Sequence, residues 1–279
     1  MIITDNLYYA FPDGSVGLQQ INLNLPTGSR TLLIGSNGAG KSTLLRVLAG
    51  KTLAKAGSVS INGVDPFRQG SGDSTYLGTE WASNPTVRRD VGVALLIASI
   101  GGDAYPERRD ELISILDIDL TWHMNAVSDG ERRRVQLCMG LLRPWNTLLL
   151  DEVTVDLDVL VRARLLDFLQ RETESRECQI VYATHIFDGL NHWPTHIAHI
   201  HLGQILECNT SDVVLSAHSS DGSRGSPLLE LALDWLKEDL EVRGVRQKKP
   251  QWADIHKDLD HSLDNPTKFS SYFKMTRGL

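Results

Sequence analysis

The sequence predicts an α/β fold in which helices cover both faces of a parallel sheet. Short, strongly apolar stretches alternate with segments of helical periodicity, which is typical of buried parallel strands joined by helices. The clearest apolar stretches are residues 32–34, 147–150 and 179–183. A chain of 279 residues can form one large α/β domain with an appendage, or two small domains.

The N-terminal segment is predicted to form antiparallel strands. Residues 2–25 alternate apolar and polar side chains, most clearly over residues 21–25. Turns are expected at residues 12–14 and 26–28, since both stretches contain proline and glycine. Two further short strands are predicted, over residues 57–63 with an Asn-Gly turn and over residues 75–77.

The middle of the chain changes to helical periodicity. Helices are predicted over residues 87–99 and 107–116, and a third from about residue 129 to the proline at position 144. After the strand at 147–150, a helix is expected over residues 157–171.

The C-terminal part is predicted to hold fewer elements. Residues 196–206 favour a final β-hairpin, and the polar stretch 218–226 is typical of a linker. An amphipathic helix is expected over residues 228–243, followed by a polar tail with scattered aromatic residues.

A P-loop motif directly follows the strand at residues 32–34. The pattern is G-x-x-x-x-G-K-S, with an apolar-faced helix after it, which is the context that the motif requires. Its glycines let the backbone turn tightly and direct N–H groups at phosphate oxygens, beside the positive end of a helix. Lys41 can reach the β- and γ-phosphates, and the Ser42 hydroxyl can ligate Mg²⁺. The predicted phosphate-binding residues are Gly35, Ser36, Asn37, Gly38, Ala39, Gly40, Lys41, Ser42 and Thr43.

Asp151 and Glu152 follow the strand at 147–150, at the carboxyl end where ligands bind in open α/β sheets. Asp151 is predicted to hold the water shell of Mg²⁺ beside the P-loop, and Glu152 to orient or deprotonate an attacking water. Structural alternatives exist for both motifs: a glycine-rich turn that binds no ligand, and an acidic cap of the next helix. The presence of both motifs in one chain favours a nucleotide-hydrolysing site.

Composition argues against several classes of function. The net charge of −7 disfavours nucleic acid as a partner, because duplex-binding surfaces carry a basic excess. Three widely spaced cysteines without a C-x-x-C pair are expected to be free thiols in a reducing compartment. Polar residues interrupt any signal peptide, and the longest apolar run, residues 91–100, is about half of a bilayer span. A soluble protein of the cytoplasm is expected, with the nucleus open as a second compartment.

A third motif, Val-Ser-Asp-Gly-Glu-Arg-Arg-Arg-Val, begins at Val127 and opens a helix shortly before the strand that carries Asp151. It resembles the signature sequence of the ATP-binding cassette (ABC) ATPases, and the resemblance covers about residues 1–210. It implies a P-loop NTPase of ABC type, with a RecA-like mixed sheet core, an antiparallel β subdomain and an inserted helical subdomain. The helical subdomain would occupy about residues 84–144 and carry the signature. Residues 211–279 would form a C-terminal extension.

The resemblance also implies roles for single residues. His185 resembles the switch histidine that contacts the γ-phosphate, and it would act in catalysis with Glu152 and Lys41. Phe11 stands where the family stacks an aromatic ring on adenine, with Tyr9 as a nearby alternative. The structural alternatives are an ordinary strand-end histidine and a core aromatic residue.

A second cassette is the implied partner. ATP and Mg²⁺, the implied cofactors, would be held between the P-loop of one copy and residues Ser128, Asp129 and Gly130 of another. Since this chain contains one cassette, a homodimer that ATP assembles and hydrolysis releases is the simplest arrangement. Residues 155–158 resemble the D-loop of the family. For Arg133 and Arg134, which follow the signature, a solvated helix face is expected.

Several residues depart from the family pattern. Val127, Asp129 and Glu131 replace leucine, glycine and glutamine, and the Asp129 charge is expected to slow hydrolysis or weaken ATP binding. Thr79 stands where the family has a glutamine that contacts Mg²⁺, in a loop that couples transporters to their membrane subunits. Val153 replaces the proline after the catalytic glutamate. The departure at Thr79 argues against transport.

These departures resemble the soluble, stand-alone cassettes of fungi and plants, whose fungal member is associated with the Ccr–Not transcription-regulatory complex. The matching segments are residues 76–81 and 122–124. The first hypothesis is a soluble ATPase whose ATP-driven dimerisation regulates a protein partner such as the Ccr–Not complex. The second is the energy subunit of a multi-chain transporter, and the third is a scaffold that binds ATP with little turnover.

Overall fold

Two β-sheets organise the part of the chain that the structure, a computed structural model, describes: residues 1–70, 72–79, 88–218 and 226–244. The strands are β1 (Ile2–Ala10), β2 (Val16–Leu25), β3 (Arg30–Ile34), β4 (Ala56–Ile61), β5 (Ser74–Leu77), β6 (Thr147–Asp151), β7 (Gln179–Ala183), β8 (His196–His201) and β9 (Gln204–Thr210). The helices are α1 (Lys41–Leu48), α2 (Val93–Ser99), α3 (Pro106–Ile115), α4 (Asp129–Leu142), α5 (Val159–Ser175), α6 (Ser211–Ala217) and α7 (Pro227–Arg243). Residues 1–236 form one unit and residues 237–279 a second, of which residues 237–244 are described.

The smaller sheet is antiparallel and has the strand order β2-β1-β4. Ile2 of β1 lies between Leu25 of β2 and Ile61 of β4. On β2, Asn22 and Asn24 are exposed, whereas the apolar residues that alternate with them are buried. The predicted antiparallel strands of residues 2–25 are therefore confirmed, and their alternation gives the sheet one apolar face.

The larger sheet is mixed and has the strand order β5-β6-β7-β3-β8-β9. Its strands are parallel except β9, which forms an antiparallel hairpin with β8. Leu33 of β3 lies opposite Ala183 of β7, and Asp151 of β6 also lies opposite Ala183. The carboxyl ends of β3, β6 and β7 therefore meet at one edge, which brings the P-loop, Asp151 and the residues after β7 together.

The two faces of the larger sheet bury separate cores. One core contains residues of α4 and α5 together with Leu32, Leu148 and Ile180. The other core contains residues of α1 and the smaller sheet together with Leu33, Leu149 and Val181. Because successive strand side chains point to opposite faces, each of these strands is buried on both sides, as its apolar sequence predicts.

The predicted helix over residues 87–99 is wrong at its start. α2 begins at Val93, residues 88–92 are not helical, and residue 87 lies outside the described residues. The Val91 carbonyl accepts a hydrogen bond from the Met124 N–H (2.9 Å), and the Val93 N–H donates to the Trp122 carbonyl (2.8 Å). This pairing with a distant loop holds the chain extended where local periodicity favours a helix.

The next helices follow the sequence more closely. α3 lies within a residue of its predicted bounds, and α4 begins at the predicted Asp129 and ends before Pro144. α5 begins at Val159, two residues later than predicted, because the Asp158 carboxylate caps it by accepting from the Val161 N–H at 2.9 Å. No helix in the described ranges is long and apolar enough to cross a bilayer.

Helix α7 contributes to the core with its first half. Leu228, Leu231 and Trp235 are buried, and the Trp235 ring stacks on His199 of β8 with 4.4 Å between ring centroids. The predicted amphipathic helix is confirmed. The predicted linker falls mainly on residues 219–225 and the tail after residue 247, both outside the described residues. The assignment of residues 211–279 to an extension stays a prediction.

Candidate active site

The P-loop connects β3 to α1 at the carboxyl edge of the larger sheet. Gly40, just before α1, has a φ of 111°, a left-handed conformation that favours glycine. A Cβ atom at Gly35 would overlap the carbonyl oxygen of Ile200, so the absence of a side chain lets the loop pack against β8. These two glycines produce the narrow turn that leads into the N-terminus of α1, where anions are favoured.

The turn opens into a concave site of about 300 Å³. Glu152 and His185 line this site from the ends of β6 and β7, and Phe11 lines it from the end of β1. The predicted P-loop residues that line it are Asn37, Gly38, Gly40, Lys41, Ser42 and Thr43. One chain thus brings together most of the residues predicted to bind and hydrolyse a nucleotide.

Lys41 is held inside the P-loop by the residues behind the turn. Its Nζ donates to the carbonyl oxygens of Gly35 (2.7 Å) and Ser36 (3.3 Å), and the Ala39 N–H also donates to the Ser36 carbonyl. The residue is 7% exposed. A buried ammonium in a concave loop at a helix N-terminus attracts an anionic ligand.

Ser42 and Asp151 form the candidate metal-binding pair. The Ser42 hydroxyl donates to Asp151 Oδ1 at 3.0 Å, and the Tyr76 hydroxyl donates to Asp151 Oδ2 at 3.1 Å. An all-oxygen set of a hydroxyl and a carboxylate suits a hard cation such as Mg²⁺. The residues present therefore fit the cation that the sequence predicts.

Tyr76 is a residue of this site that the sequence prediction missed. Its position depends on the register of β5 and β6, in which Tyr76 lies opposite Leu149, two residues before Asp151. Burial, followed by the Asp151 charge, raises the pKa of Tyr76 to about 12. Thr79, which replaces the glutamine that contacts Mg²⁺ in the family, is exposed and does not line the concave site. Residues 80 and 81 of the same segment lie outside the described residues.

Glu152 and His185 face each other across the ends of β6 and β7. His185 Nε2 lies 3.3 Å from Glu152 Oε1 and 3.0 Å from Lys41 Nζ. Since an ammonium can only donate, the Lys41 contact requires an unprotonated Nε2. Burial and the Lys41 charge both lower the pKa of His185, which favours this neutral form.

The environment of Glu152 favours its protonated form more than water does. Burial raises the pKa of Glu152, and the nearby Asp151 adds to this, although the His185 N–H and Lys41 oppose it. Within the described residues Oε1 is buried and accepts no hydrogen bond. The backbone at Glu152 has a φ of 53°, which is strained for a residue with a side chain. Glu152 is thus held in the site with a free acceptor atom, as a general base requires.

Phe11 lies at the mouth of the site beside Val16 and Gly17. It is 40% exposed and packs edge-to-face against Tyr9 with 5.1 Å between ring centroids. The alternative of Phe11 as a core residue is therefore wrong. An exposed aromatic ring beside a phosphate-binding loop suits stacking on a base, and its contact with adenine stays a prediction.

The signature residues lie away from the site of their own chain. Ser128 caps α4: its Oγ accepts from the Glu131 N–H (3.2 Å), while Glu131 Oε2 accepts from the Ser128 N–H (2.7 Å) and hydroxyl (2.8 Å). The hydrogen bonds from Ser128 lower the pKa of Glu131. Ser128 and Asp129 are exposed and Gly130 is half-buried, and none of the three lines the concave site. The exposed N-terminus of α4 is available to a ligand held by another molecule.

Asp129 has counter-charges in its own chain. Its Oδ1 lies 2.6 Å from an Arg132 guanidinium nitrogen and 3.8 Å from Arg88. Arg132 is also fixed by hydrogen bonds to the carbonyls of Met124 and Val127. Arg132 and Arg88 therefore partly neutralise the negative charge that Asp129 adds to the signature.

The prediction of a solvated helix face for Arg133 and Arg134 is wrong. The Arg133 side chain is 4% exposed, donates to the Gly78 carbonyl at 3.0 Å, and lies 3.6 Å from Asp156. Arg134 is 18% exposed and pairs with Asp117 at 3.0 Å. Arg133 is covered by the loops after β5 and β6, and Arg134 contacts the segment after α3, neither of which the helical pattern alone reveals.

Comparisons with known proteins show the relatives of this chain. Residues 18–155 match the family model for the ABC transporter. The chain is 46% identical to CCR4-associated factor 16 of Saccharomyces cerevisiae, over 85% of this chain and 94% of that protein. It is 42% identical to ABC transporter I family member 20 of Arabidopsis thaliana, over 85% of this chain and 74% of that protein.

A solved structure shows the same fold. It is a dimeric post-hydrolysis state of an ATP-binding cassette bound to ADP and Pi, with a TM-score of 0.62 and 18% identity over 75% of this chain and 98% of that chain. The relatives come from a fungus and a plant, as the resemblance of residues 76–81 and 122–124 implies. The chain belongs to the ATP-binding cassette (ABC) family, and its activity is the ATP hydrolysis of that family.

Proposed function

We propose that this chain binds Mg²⁺ and ATP at the P-loop site and hydrolyses ATP when a second copy supplies its signature residues. One observation carries the proposal: the site gathers Lys41, Glu152 and His185, with Asp151 bonded to Ser42 beside them, whereas Ser128 of the same chain lies at the exposed start of α4. Each chain would hold half of two composite sites in a head-to-tail homodimer. The dimeric cassette among the solved structures supports this arrangement.

Within such a site, each residue acts through the contacts described above. Lys41 binds the β- and γ-phosphates in place of its contacts with Gly35 and Ser36. Ser42 and Asp151 would hold the cation, whose charge would offset the charge of the phosphates.

The chemical step is proposed for the residues at the ends of β6 and β7. Glu152 takes a proton from the attacking water at Oε1, and the water oxygen bonds to the γ-phosphorus as the bond from that phosphorus to the ADP oxygen breaks. The neutral ring of His185 donates its N–H to the γ-phosphate. The second copy contributes the Gly130 N–H and the Ser128 hydroxyl, and Asp129 stays paired with Arg132.

We further propose a regulatory role rather than transport, in the cytoplasm or the nucleus. The printed name of CCR4-associated factor 16 supports a protein partner such as the Ccr–Not complex. The position of Thr79, exposed and outside the site, supports a cassette without the coupling loop of a transporter. The net charge of −7 disfavours nucleic acid as the partner.

Replacing Glu152 with glutamine tests the mechanism. Glu152→Gln keeps the shape of the side chain but removes the base, so we expect ATP turnover to fall at least about 100-fold. ATP and Mg²⁺ should convert the variant to a stable dimer, measured by size-exclusion chromatography with light scattering. Lys41→Ala is the control, since it should lose both turnover and ATP-dependent dimerisation. Unchanged turnover in Glu152→Gln would contradict the role of Glu152.

Affinity purification of the tagged chain from cells tests the partner. We expect recovery of soluble regulatory proteins and of a second, untagged copy in the presence of ATP. Recovery of a polytopic membrane protein in stoichiometric amounts would instead support the alternative, the energy subunit of a transporter.

A further inference from the structure

Tyr76 lies beside the candidate metal site on the strand next to the one that carries Asp151. β5 pairs in parallel with β6, and Tyr76 lies opposite Leu149. Strand residues two apart share a face, so Tyr76 and Asp151 project from the same side of the sheet. The Tyr76 hydroxyl reaches Asp151 Oδ2 at 3.1 Å, and Ser42 of α1 reaches Oδ1 at 3.0 Å.

The direction of the hydrogen bonds at Tyr76 follows from its partners. The Arg46 guanidinium of α1 is also near the Tyr76 hydroxyl, where it acts to lower the pKa of Tyr76. A guanidinium has donors and no acceptor, so Arg46 can interact only with the lone pairs of the phenol oxygen. The single phenol proton is donated to Asp151 Oδ2.

The Tyr76 ring is held in place as well as its hydroxyl. Lys51 Nζ lies 4.5 Å from the ring centroid, a cation–π distance. The side chain is half-buried and packs against the core of α1 and the smaller sheet. Because the ring is fixed, its hydroxyl has one position, from which it donates to Asp151 Oδ2.

We propose that Tyr76 is a positioning residue of the Mg²⁺ site, whose hydroxyl orients the Asp151 carboxylate for the cation. Because Tyr76 holds Oδ2, the carboxylate plane is fixed with Oδ1 towards Ser42, where the cation would bind. Tyr76 thereby supplies a polar group at the site while Thr79 stays exposed outside it. This inference rests on the proposed function, since it concerns the cation of the same ATP site.

Tyr76→Phe removes the hydroxyl and keeps the ring, its packing and the contact with Lys51. Loss of a hydrogen-bond partner of a metal-binding carboxylate typically weakens metal binding by 10–100-fold, so we expect about tenfold weaker binding. The measurement is Mn²⁺ binding to the full chain with ADP, from the electron paramagnetic resonance signal of free Mn²⁺. Binding of fluorescent ADP without metal should be unchanged. In turnover, the Mg²⁺ concentration for half-maximal rate should rise while kcat at saturating Mg²⁺ changes little.

Two further variants serve as controls. Tyr182→Phe removes a hydroxyl on the neighbouring strand β7 that contacts Thr154 rather than Asp151, so Mn²⁺ binding should equal wild type. Thr79→Ala should also bind Mn²⁺ like wild type. Thermal unfolding of each variant without metal establishes that it is folded.

The outcomes separate this inference from the proposed function. Wild-type Mn²⁺ affinity in Tyr76→Phe overturns the inference and leaves the ATP site intact. If Mn²⁺ binding is weakened in Thr79→Ala and equals wild type in Tyr76→Phe, the role belongs to Thr79, and the inference about Tyr76 is overturned. A wild-type chain that binds neither ADP nor Mn²⁺ with ADP overturns the proposed site and this inference with it.

Discussion

Asp151 and Glu152 are adjacent in the chain, and their surroundings suit them to different tasks. Both carboxylate oxygens of Asp151 accept hydrogen bonds, from Ser42 and Tyr76, which hold the carboxylate in one orientation. Glu152 has a buried oxygen that accepts no hydrogen bond within the described residues, and burial raises its pKa. The surroundings of Asp151 suit the binding of a cation, and those of Glu152 suit the acceptance of a proton. The left-handed backbone at Glu152 accompanies this change of environment between two neighbours.

Arg133 and Arg134 provide a matched pair of variants at the residue scale. Arg133→Gln removes a buried guanidinium from the Gly78 carbonyl and from Asp156, which is 40% exposed. We expect its free energy of unfolding to fall by about 2 kcal/mol, as when a buried hydrogen bond of a charged group is lost. Arg134→Gln should cost less than about 1 kcal/mol, because Asp117 is 76% exposed. Urea unfolding followed by circular dichroism measures both, and equal losses would contradict the burial of Arg133.

At the scale of elements, α4 is tied to the loops on either side of it. Arg133 joins α4 to the loop after β5 through Gly78 and to the loop after β6 through Asp156. At Gly130 a Cβ atom would lie 2.8 Å from the Asp156 carbonyl oxygen, so the start of α4 packs closely on the same loop. The signature residues and the segment that follows Glu152 are therefore in direct contact.

A second connection, between α3 and α5, predicts a pH dependence of stability. Glu172 of α5 is paired with Arg108 of α3 at 2.7 Å and with Arg176. Burial alone would raise the pKa of Glu172, but the two arginines outweigh it and the pKa is lowered. The folded state thus binds this proton less tightly than the unfolded state, so the pair stabilises the protein above the unfolded pKa and loses this effect on acidification.

Glu172→Gln tests that connection. The variant leaves two arginines without a carboxylate, and we expect it to lose about 3 kcal/mol of unfolding free energy near neutral pH. The difference in unfolding free energy between wild type and variant should shrink as the pH falls below the unfolded pKa of Glu172. At low pH the wild-type carboxylate is protonated and becomes neutral, like the glutamine of the variant. Urea unfolding at a series of pH values measures it, and Glu174→Gln on the same helix, at 55% exposure, is the control. A difference that does not change with pH would contradict the assignment to Glu172.

The elements that sequence predicted well are those specified by local patterns. The strands before Gly35 and Asp151 are short apolar runs buried on both faces, and their motifs follow directly. The start of α2, the burial of Arg133 and the contact of Tyr76 with Asp151 depend on residues distant in the chain. Periodicity reports which side chains are apolar, and it does not report which strands are neighbours or which loop covers a helix.

At the scale of the whole molecule, the site of one chain is incomplete without another chain in the proposed arrangement. Mixing two inactive variants tests this. Lys41→Ala removes the phosphate-binding ammonium, and Ser128→Asp keeps a good helix cap but repels a phosphate. In a mixed dimer one composite site has both Lys41 and Ser128. An equal mixture should therefore regain turnover that neither variant has alone, up to about half of wild type if every dimer is mixed, because a mixed dimer holds one complete composite site out of two.

The measurement is phosphate release from each variant alone and from the mixture at equal total concentration. Wild-type turnover per chain should also rise with protein concentration, because dilution separates the dimer. A mixture as inactive as its components, at every ratio, would contradict a site shared between chains.

The central place of β3 also has a consequence for how the protein is made. β3 lies between β7 and β8, and Arg30 at its start donates to Thr195, which is 165 residues further along the chain. During synthesis the P-loop sequence leaves the ribosome long before the two strands that flank it. Contacts between such distant segments form late, and until then β3 is an unpaired apolar edge that chaperones can bind. A nascent chain that stops before β8 lacks the strand on which Gly35 packs, so we expect ATP to stabilise the protein only after β8 has been made.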